Sequence, residues 1–308
     1  MNISKHCIFV TGVGGQLGHD VVNELSRVGI CAIGSDIRPE SEVMNKSNWS
    51  RYIPLDITDK KAVETIIEGI KPDVIIHCAA WTNVDGAEDE NAKPLVKKIN
   101  VEGTDNLVKV AKKIGCKFVY ISTDYVFNGK GTKPWEPDDK DYSPLNYYGQ
   151  TKLEGELSVS SQLEKYFIVR IAWVFGLNGK NFIKTMLSLA DKGYKELRVV
   201  SDQIGTPTYT YDLARLLVDM VQTDKYGYYH ATNEGGYISW ADFAEEIFKQ
   251  ANKEAKVNRV TTAEYGASVA KRPFNSRLDK SKLIENGFKP LPDWKDAVKR
   301  YLEEIKEK

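Results

Sequence analysis

Tyr148 and Lys152 stand four residues apart in the stretch Asn146-Tyr147-Tyr148-Gly149-Gln150-Thr151-Lys152. On a helix that spacing puts both side chains on one face, one above the other. A free phenol titrates near ~10. A fixed ammonium beside it favours the phenolate, so the phenol becomes a usable proton donor nearer neutrality. Taken alone, such a pair also fits an ordinary helix surface. Thr123 is a second candidate, because it lies just past the end of a strand-like run, where its hydroxyl can hydrogen-bond a substrate oxygen. A capping or turn role would suit it equally well. Only Tyr148, not Tyr147, has the four-residue spacing to Lys152.

The elements upstream build a shelf for a cofactor. Residues 7–11 read as a short apolar strand, followed by Gly12-Val13-Gly14-Gly15-Gln16-Leu17-Gly18 and a helical pattern through Val21, Val22, Leu25 and Val28. Strand, glycine turn and helix together make dinucleotide binding the expected use. Gly12 permits the turn, Gly15 lets the backbone approach a pyrophosphate, and Gly18 lets the helix pack close to the strand; the helix N-terminus adds N–H donors. The second strand ends at Asp36, about the ~20 residues beyond the glycines expected of a ribose contact. Its carboxylate suits the 2′-hydroxyl of NADH, whereas Arg38 suits the 2′-phosphate of NADPH, so the choice of cofactor stays open. A third strand ends at Asp56. The run Asp73-Val74-Ile75-Ile76-His77 is continuously apolar, as buried parallel strands are, and leads to the small residues Ala79 and Ala80. A helix over 94–114 and a strand over 117–121 follow. The alternation argues an α/β, Rossmann-type doubly wound parallel sheet. The loop over 128–141 covers the site, and the helix carrying Tyr148 and Lys152 runs to about residue 163.

Lys plus Arg equals Asp plus Glu over 308 residues, for zero net charge. No basic field points to nucleic acid or to a membrane surface. The N-terminus has no signal-peptide pattern, and no apolar run is long enough to span a bilayer. Cys7, Cys31, Cys78 and Cys116 lie in or beside apolar strand-like runs and read as reduced core thiols of a cytoplasmic protein. Neither they nor the scattered histidines have metal-ligand spacing.

Several stretches carry a resemblance. They are Gly15-Gln16-Leu17-Gly18, Ala79-Ala80-Trp81-Thr82-Asn83-Val84-Asp85-Gly86-Ala87-Glu88, Ser122-Thr123-Asp124-Tyr125-Val126-Phe127 and Pro144-Leu145-Asn146-Tyr147-Tyr148-Gly149. Further on come Arg170-Ile171-Ala172-Trp173-Val174-Phe175-Gly176, Asp202-Gln203-Ile204-Gly205-Thr206-Pro207-Thr208 and Arg272-Pro273-Phe274-Asn275-Ser276-Arg277-Leu278. In order and over nearly the whole chain, they resemble the extended short-chain dehydrogenase/reductases, and within them the dTDP-4-dehydrorhamnose reductase family. The resemblance implies Tyr148 as catalytic acid, Lys152 on the nicotinamide ribose and Thr123 on the reacting oxygen. Asp124, Tyr125 and Trp173 would meet the sugar. Cofactor contacts would come from Gly12, Gly15, Gln16, Leu17, Gly18, Asp36, Arg38, Asp56, Ile57, Ala79, Ala80, Trp81 and Asn100, besides Tyr148 and Lys152. An Arg can grip a diphosphate with two hydrogen bonds, which makes Arg272 a substrate candidate.

Related nucleotide-sugar dehydratases carry an Asp-Glu pair after the Thr; here Asp124 is followed by Tyr125, which favours plain ketone reduction. The expected organisation is a cofactor domain over residues 1–172 and a smaller mixed α/β substrate lobe over 173–308, with some segments returning to the first. The 202–208 stretch is expected to fix the lobes to each other, and the charged C-terminal helix to be a solvated face. The expected partner is a nucleotide sugar, with NADPH or NADH as cofactor. Some members of the family are associated with magnesium and dimerise, and no cluster here marks either. Two alternatives stay open: a non-catalytic NADP-binding regulatory subunit of methionine adenosyltransferase type, and a reductase of a different nucleotide-linked keto sugar.

Overall fold

Seven parallel strands form the spine of the molecule, seen in a computed structural model that describes residues 7–43, 47–266 and 268–307. They are β1 (Cys7–Thr11), β2 (Cys31–Asp36), β3 (Arg51–Pro54), β4 (Val74–His77), β5 (Lys117–Thr123), β6 (Tyr166–Ile171) and β7 (Gly227–His230). Their order across the sheet is β3-β2-β1-β4-β5-β6-β7. The order reverses between β1 and β4, and at such a switch point the carboxyl ends of the strands open a crevice for ligands. The leader Met1–His6, read above for signal-peptide pattern, lies outside the described residues.

Both faces of the sheet are covered, which is why its central strands, β1 and β4, read as apolar runs. On one face lie α1 (Gln16–Arg27) and a later helix (Thr210–Val221), burying Val21, Val22 and Leu25 against Leu213 and Leu217. On the other lie α2 (Lys60–Ile70), α3 (Lys93–Lys97), α4 (Thr104–Ile114) and α5 (Tyr147–Gln162), burying Ile67, Leu107, Ala111 and Val159. Between α3 and α4 the helical chain widens into a π stretch, Lys98–Gly103. Such bulges re-aim side chains and gather at functional sites; this one carries Asn100.

Beyond β6 the chain also forms α6 (Phe182–Asp191), α7 (the Thr210–Val221 helix already placed on the sheet) and α8 (Trp240–Gln250). Of these, α6 and α8 pack with the C-terminal helix Trp294–Glu304 around Phe175, Ile183, Phe243, Ile247 and Tyr301. That helix departs from expectation: Trp294, Ala297, Val298, Tyr301 and Leu302 are buried, so only one side is solvated. Its charged residues masked the apolar stripe at i, i+3, i+4, i+7 and i+8. The cysteines also differ. Cys116 is buried, but Cys7, Cys31 and Cys78 are half-buried, and all four are free thiols.

The 202–208 stretch ties together segments far apart in sequence. Ile204 and Gly205 pair with Ile238 and Ser239, and Thr208 and Tyr209 pair with Val174 and Phe175. Thr208 Oγ1 also donates to Ala172 O at 2.6 Å. Among the described residues no helix is long and apolar enough to cross a membrane.

Candidate active site

A cavity of about 650 Å³ lies at the carboxyl ends of the strands, within the size range of small-molecule sites. Thr11, Asp36, His77, Thr123 and Ile171, the last residues of β1, β2, β4, β5 and β6, all line it.

The glycine turn forms one wall, and its glycines are required by space. A Cβ on Gly12 would lie 2.6 Å from Ala79 N, and one on Gly18 would lie 2.3 Å from Gly12 O. Gly12 also has φ +70°, where a side chain is strained. Gly14 N donates to Asp36 Oδ2 at 3.0 Å, and Arg38 holds the same carboxylate with Nε at 3.0 Å and Nη2 at 3.2 Å. Burial would raise the Asp36 pKa, but Arg38 and the Gly14 amide hold it below the usual carboxylate range. The two residues that suit different cofactors thus face the cavity as one ion pair. Asp56, Ile57, Ala79 and Ala80 continue the wall with Gly15, Gln16 and Leu17.

The opposite wall is built by α5. Asn146 caps it, its Oδ1 accepting from Gly149 N at 2.8 Å. Gly149 and Gly155 let the helix press inward: a Cβ on Gly149 would meet Tyr125 O at 2.4 Å, and one on Gly155 would meet Tyr120 Oη at 2.1 Å. This close packing brings Tyr148 and Lys152 to the cavity beside Thr123, Asp124 and Tyr125. Tyr125 meets Tyr148 edge-on, with ring centroids 5.9 Å apart. Tyr147 does not line the cavity; its ring lies under Lys93 Nζ at 5.4 Å.

The electrostatics differ from the expected pairing. Lys152 Nζ sits 4.0 Å from the centroid of the Tyr120 ring. Burial lowers its pKa to about 7, against the pull of Glu156. Tyr148 is pushed up instead of down, first by burial and then by the negative charge of Asp124, with the nearby Thr123 hydroxyl pulling the other way. Desolvation acts on both groups in favour of their neutral forms, so the phenol is not drawn toward neutrality by Lys152.

Three sequence candidates stand off the cavity wall: Trp81, Asn100 and Arg272. Asn100 works from behind, its Oδ1 accepting from Trp81 N at 2.8 Å and its Nδ2 donating to Thr151 Oγ1 at 3.0 Å. It therefore ties the Ala79–Trp81 wall to α5. Trp81 turns its indole N–H to Asn83 O at 2.9 Å. Arg272 is engaged by Asp85, Nη1 to Oδ1 at 3.0 Å and Nη2 to Oδ2 at 2.8 Å, so its two-pronged grip is on a protein carboxylate.

Reading the sequence missed other members of the site. Trp240 lines the cavity and stacks on Trp173 at 3.8 Å between centroids. Trp173 itself has φ +50°, a strained backbone for a bulky residue. His77 links Thr11 Oγ1, at 2.8 Å from Nδ1, to Thr104 Oγ1, at 3.1 Å from Nε2. Thr104 donates to Asn100 O, so Nε2 must carry the proton and Nδ1 must accept. Burial, with Lys152 adding to it, lowers the His77 pKa to about 3. The continuous run Val74–His77 gave no hint that its last residue served a polar network.

The site suits a dinucleotide on its own observations. The glycines leave a cradle that a Cβ would fill, and Asp36 and Arg38 stand at the end of β2. Ser35 Oγ and Ser122 Oγ are buried on the cavity wall without a hydrogen-bond partner. Buried polar atoms of this kind call for a ligand or water.

Over residues 6–307 the chain matches the family model described as the RmlD substrate binding domain. It is 40% identical over 305 residues to the dTDP-4-dehydrorhamnose reductase of Aggregatibacter actinomycetemcomitans, with 95% of this chain and 97% of that one covered. The chain belongs to the dTDP-4-dehydrorhamnose reductase family. It is also similar to the spore coat polysaccharide biosynthesis protein SpsK of Bacillus subtilis, 38% identical over 297 residues, covering 96% and 97% of the two chains. The dTDP-4-dehydrorhamnose reductase of Bacillus anthracis, solved in complex with NADP, superposes with a TM-score of 0.83 at 37% identity, covering 97% of this chain and 99% of that one. This member of the dTDP-4-dehydrorhamnose reductase family is thus matched over nearly its whole length. Among the described residues no group of three His, Cys, Asp or Glu side chains gathers to hold a metal ion.

Proposed function

We propose that this chain reduces the 4-keto group of dTDP-4-dehydro-L-rhamnose to give dTDP-L-rhamnose, using NADPH or NADH. The observation that carries the reading is the convergence of Tyr148, Lys152 and Thr123 with the glycine turn in one cavity at the strand carboxyl ends. The bound cofactor supplies the hydride. Tyr148, buried and protonated, gives its proton to the oxygen that becomes an alkoxide. Thr123 stands beside it to stabilise that charge, and Lys152 orients the ribose next to Tyr148, so proximity and electrostatics act together. Tyr125 occupies the position where an elimination would need a second carboxylic acid, so water is not lost. Trp173, backed by Trp240, offers an aromatic wall to the sugar.

In this reading the Arg272–Asp85 pair shapes the rim of the pocket, and the division near residue 172 separates cofactor from sugar. The test is to mix the protein with the keto sugar and each cofactor in turn. The expected result is cofactor oxidation matched by a product two hydrogens heavier. Cofactor that stays reduced with this sugar, while another nucleotide-linked keto sugar oxidises it, would reassign the substrate.

A further inference from the structure

The hydroxyl of Thr123 has one hydrogen and two acceptor lone pairs. One lone pair takes Tyr125 N–H at 3.2 Å, and the hydrogen goes to Asp124 Oδ1 at 3.0 Å. So arranged, Thr123 has no hydrogen to give a substrate oxygen. Yet stabilising a forming alkoxide needs donors aimed at it. Asp124 is itself anomalous: it is 2% exposed, lines the cavity, and its Oδ2 lacks a hydrogen bond of good geometry, with only the Ser276 hydroxyl standing near the carboxyl from that side. A carboxylate only accepts, and one buried with an acceptor atom unmet is costly. Protonated, the same group becomes a donor.

We propose that Asp124 is a positioning residue whose protonation turns the Thr123 hydroxyl toward the reacting oxygen. As the acid, Asp124 gives its hydrogen bond to the remaining lone pair of Thr123 Oγ1. The threonine hydrogen is then free for the substrate oxygen. Both hydrogens stay on their own atoms throughout; the transferred proton still comes from Tyr148. The inference rests on the ketone-reduction reading above.

The surroundings of Asp124 suit such a change. Thr123 faces it from β5, Tyr125 from the same turn, Tyr148 from α5 and Ser276 from the strap after Arg272. These are hydroxyls and phenols, and the Arg272–Asp85 pair behind Tyr125 is already neutralised within itself. Burial pushes the Asp124 carboxyl up to about 6, against the pull of the Ser276 and Thr123 hydroxyls.

The experiment is the pH profile of kcat/KM for the keto sugar, in wild type and Asp124→Asn. The asparagine amide donates to Thr123 at every pH. A single group near 6 makes the wild type fall about threefold between pH 5.5 and 6.5. In Asp124→Asn that fall should shrink to less than about 1.5-fold, leaving the limb of Lys152 near 7. The same fall in the variant overturns the proposal. So does a KM for the sugar raised equally at all pH values with the limb intact, which marks Asp124 as a charged acceptor for a sugar hydroxyl. Should the variant prove too slow to profile, infrared difference spectra of the free proteins decide. A carboxylic-acid C=O band lost as pH rises from 5 to 7 in wild type, and missing in Asp124→Asn, supports it; no such band overturns it. Wild type that reduces no keto sugar at any pH refutes the functional reading itself, whatever the band does.

Discussion

At the scale of single residues, the site is governed by burial. Arg38 and Asp36 show how one pair can serve two cofactors. A 2′-hydroxyl can donate to Asp36, and a 2′-phosphate can take the guanidinium from it. Arg38→Ala should therefore raise the KM for NADPH at least about tenfold, the worth of one charge-assisted contact of about 1.5–3 kcal/mol, and leave that for NADH nearly unchanged. Initial rates with each cofactor check this. His77 carries a different consequence. Unfolded, it binds a proton below about 6.5; folded, it refuses one down to about 3. The unfolded state therefore holds more protons in that window, so stability is full above it and lost as pH falls. The slope is about 1.4 kcal/mol per pH unit for this group. His77→Asn should be less stable at pH 7, and its stability should fall less steeply between pH 6 and 4, read by urea unfolding at each pH.

At the scale of elements, α5 is the part on which the proposed chemistry depends, and it is held by a buried ion pair one turn beyond Lys152. Arg170 on β6 meets Glu156 through Nε at 2.9 Å and Nη2 at 2.8 Å, with both side chains fully buried. Arg170 also donates to Pro137 O and Tyr142 Oη, drawing in the 128–142 stretch, which, contrary to the expectation of a loop covering the site, does not line the cavity. Glu156→Gln leaves a buried charge uncompensated and should cost about 3–5 kcal/mol in denaturant unfolding. Replacing both partners by apolar residues of similar volume should cost less.

Much of this scale was legible beforehand. The apolar run at 74–77, the glycine turn and the i, i+4 pair each state their element locally, because strand burial, tight turns and helix faces leave local patterns. What escaped notice is non-local. Arg272 meets a carboxylate 187 positions away, and nothing within its own loop announces that. The π stretch around Asn100 widens a helix with ordinary helical residues, and Trp240 reaches the cavity only because α8 folds back over Trp173. The C-terminal helix misled because its charged residues outnumber a stripe that is nonetheless fully used.

At the scale of the whole molecule, the cavity draws on residues from Thr11 to Trp240. Gln16 from the glycine turn accepts from Asn181 Nδ2 at 3.1 Å, and Thr210 at the start of α7 donates to Asp20 on α1 at 2.5 Å. A ligand seated in the cavity touches the folded state only, so it should stabilise the entire chain. At 100 times its Kd, NADPH should add about 2.7 kcal/mol, seen as a rise in Tm that Gly18→Ala abolishes through its clash with Gly12 O. The central claim is narrower than this: a buried phenol supplies the proton for ketone reduction. Its most direct test is the single-turnover oxidation of bound NADPH by dTDP-4-dehydro-L-rhamnose in wild type and Tyr148→Phe. Loss of about 10²–10⁴-fold in rate, with cofactor affinity retained, is the predicted result; turnover by Tyr148→Phe within a few-fold of wild type would contradict it.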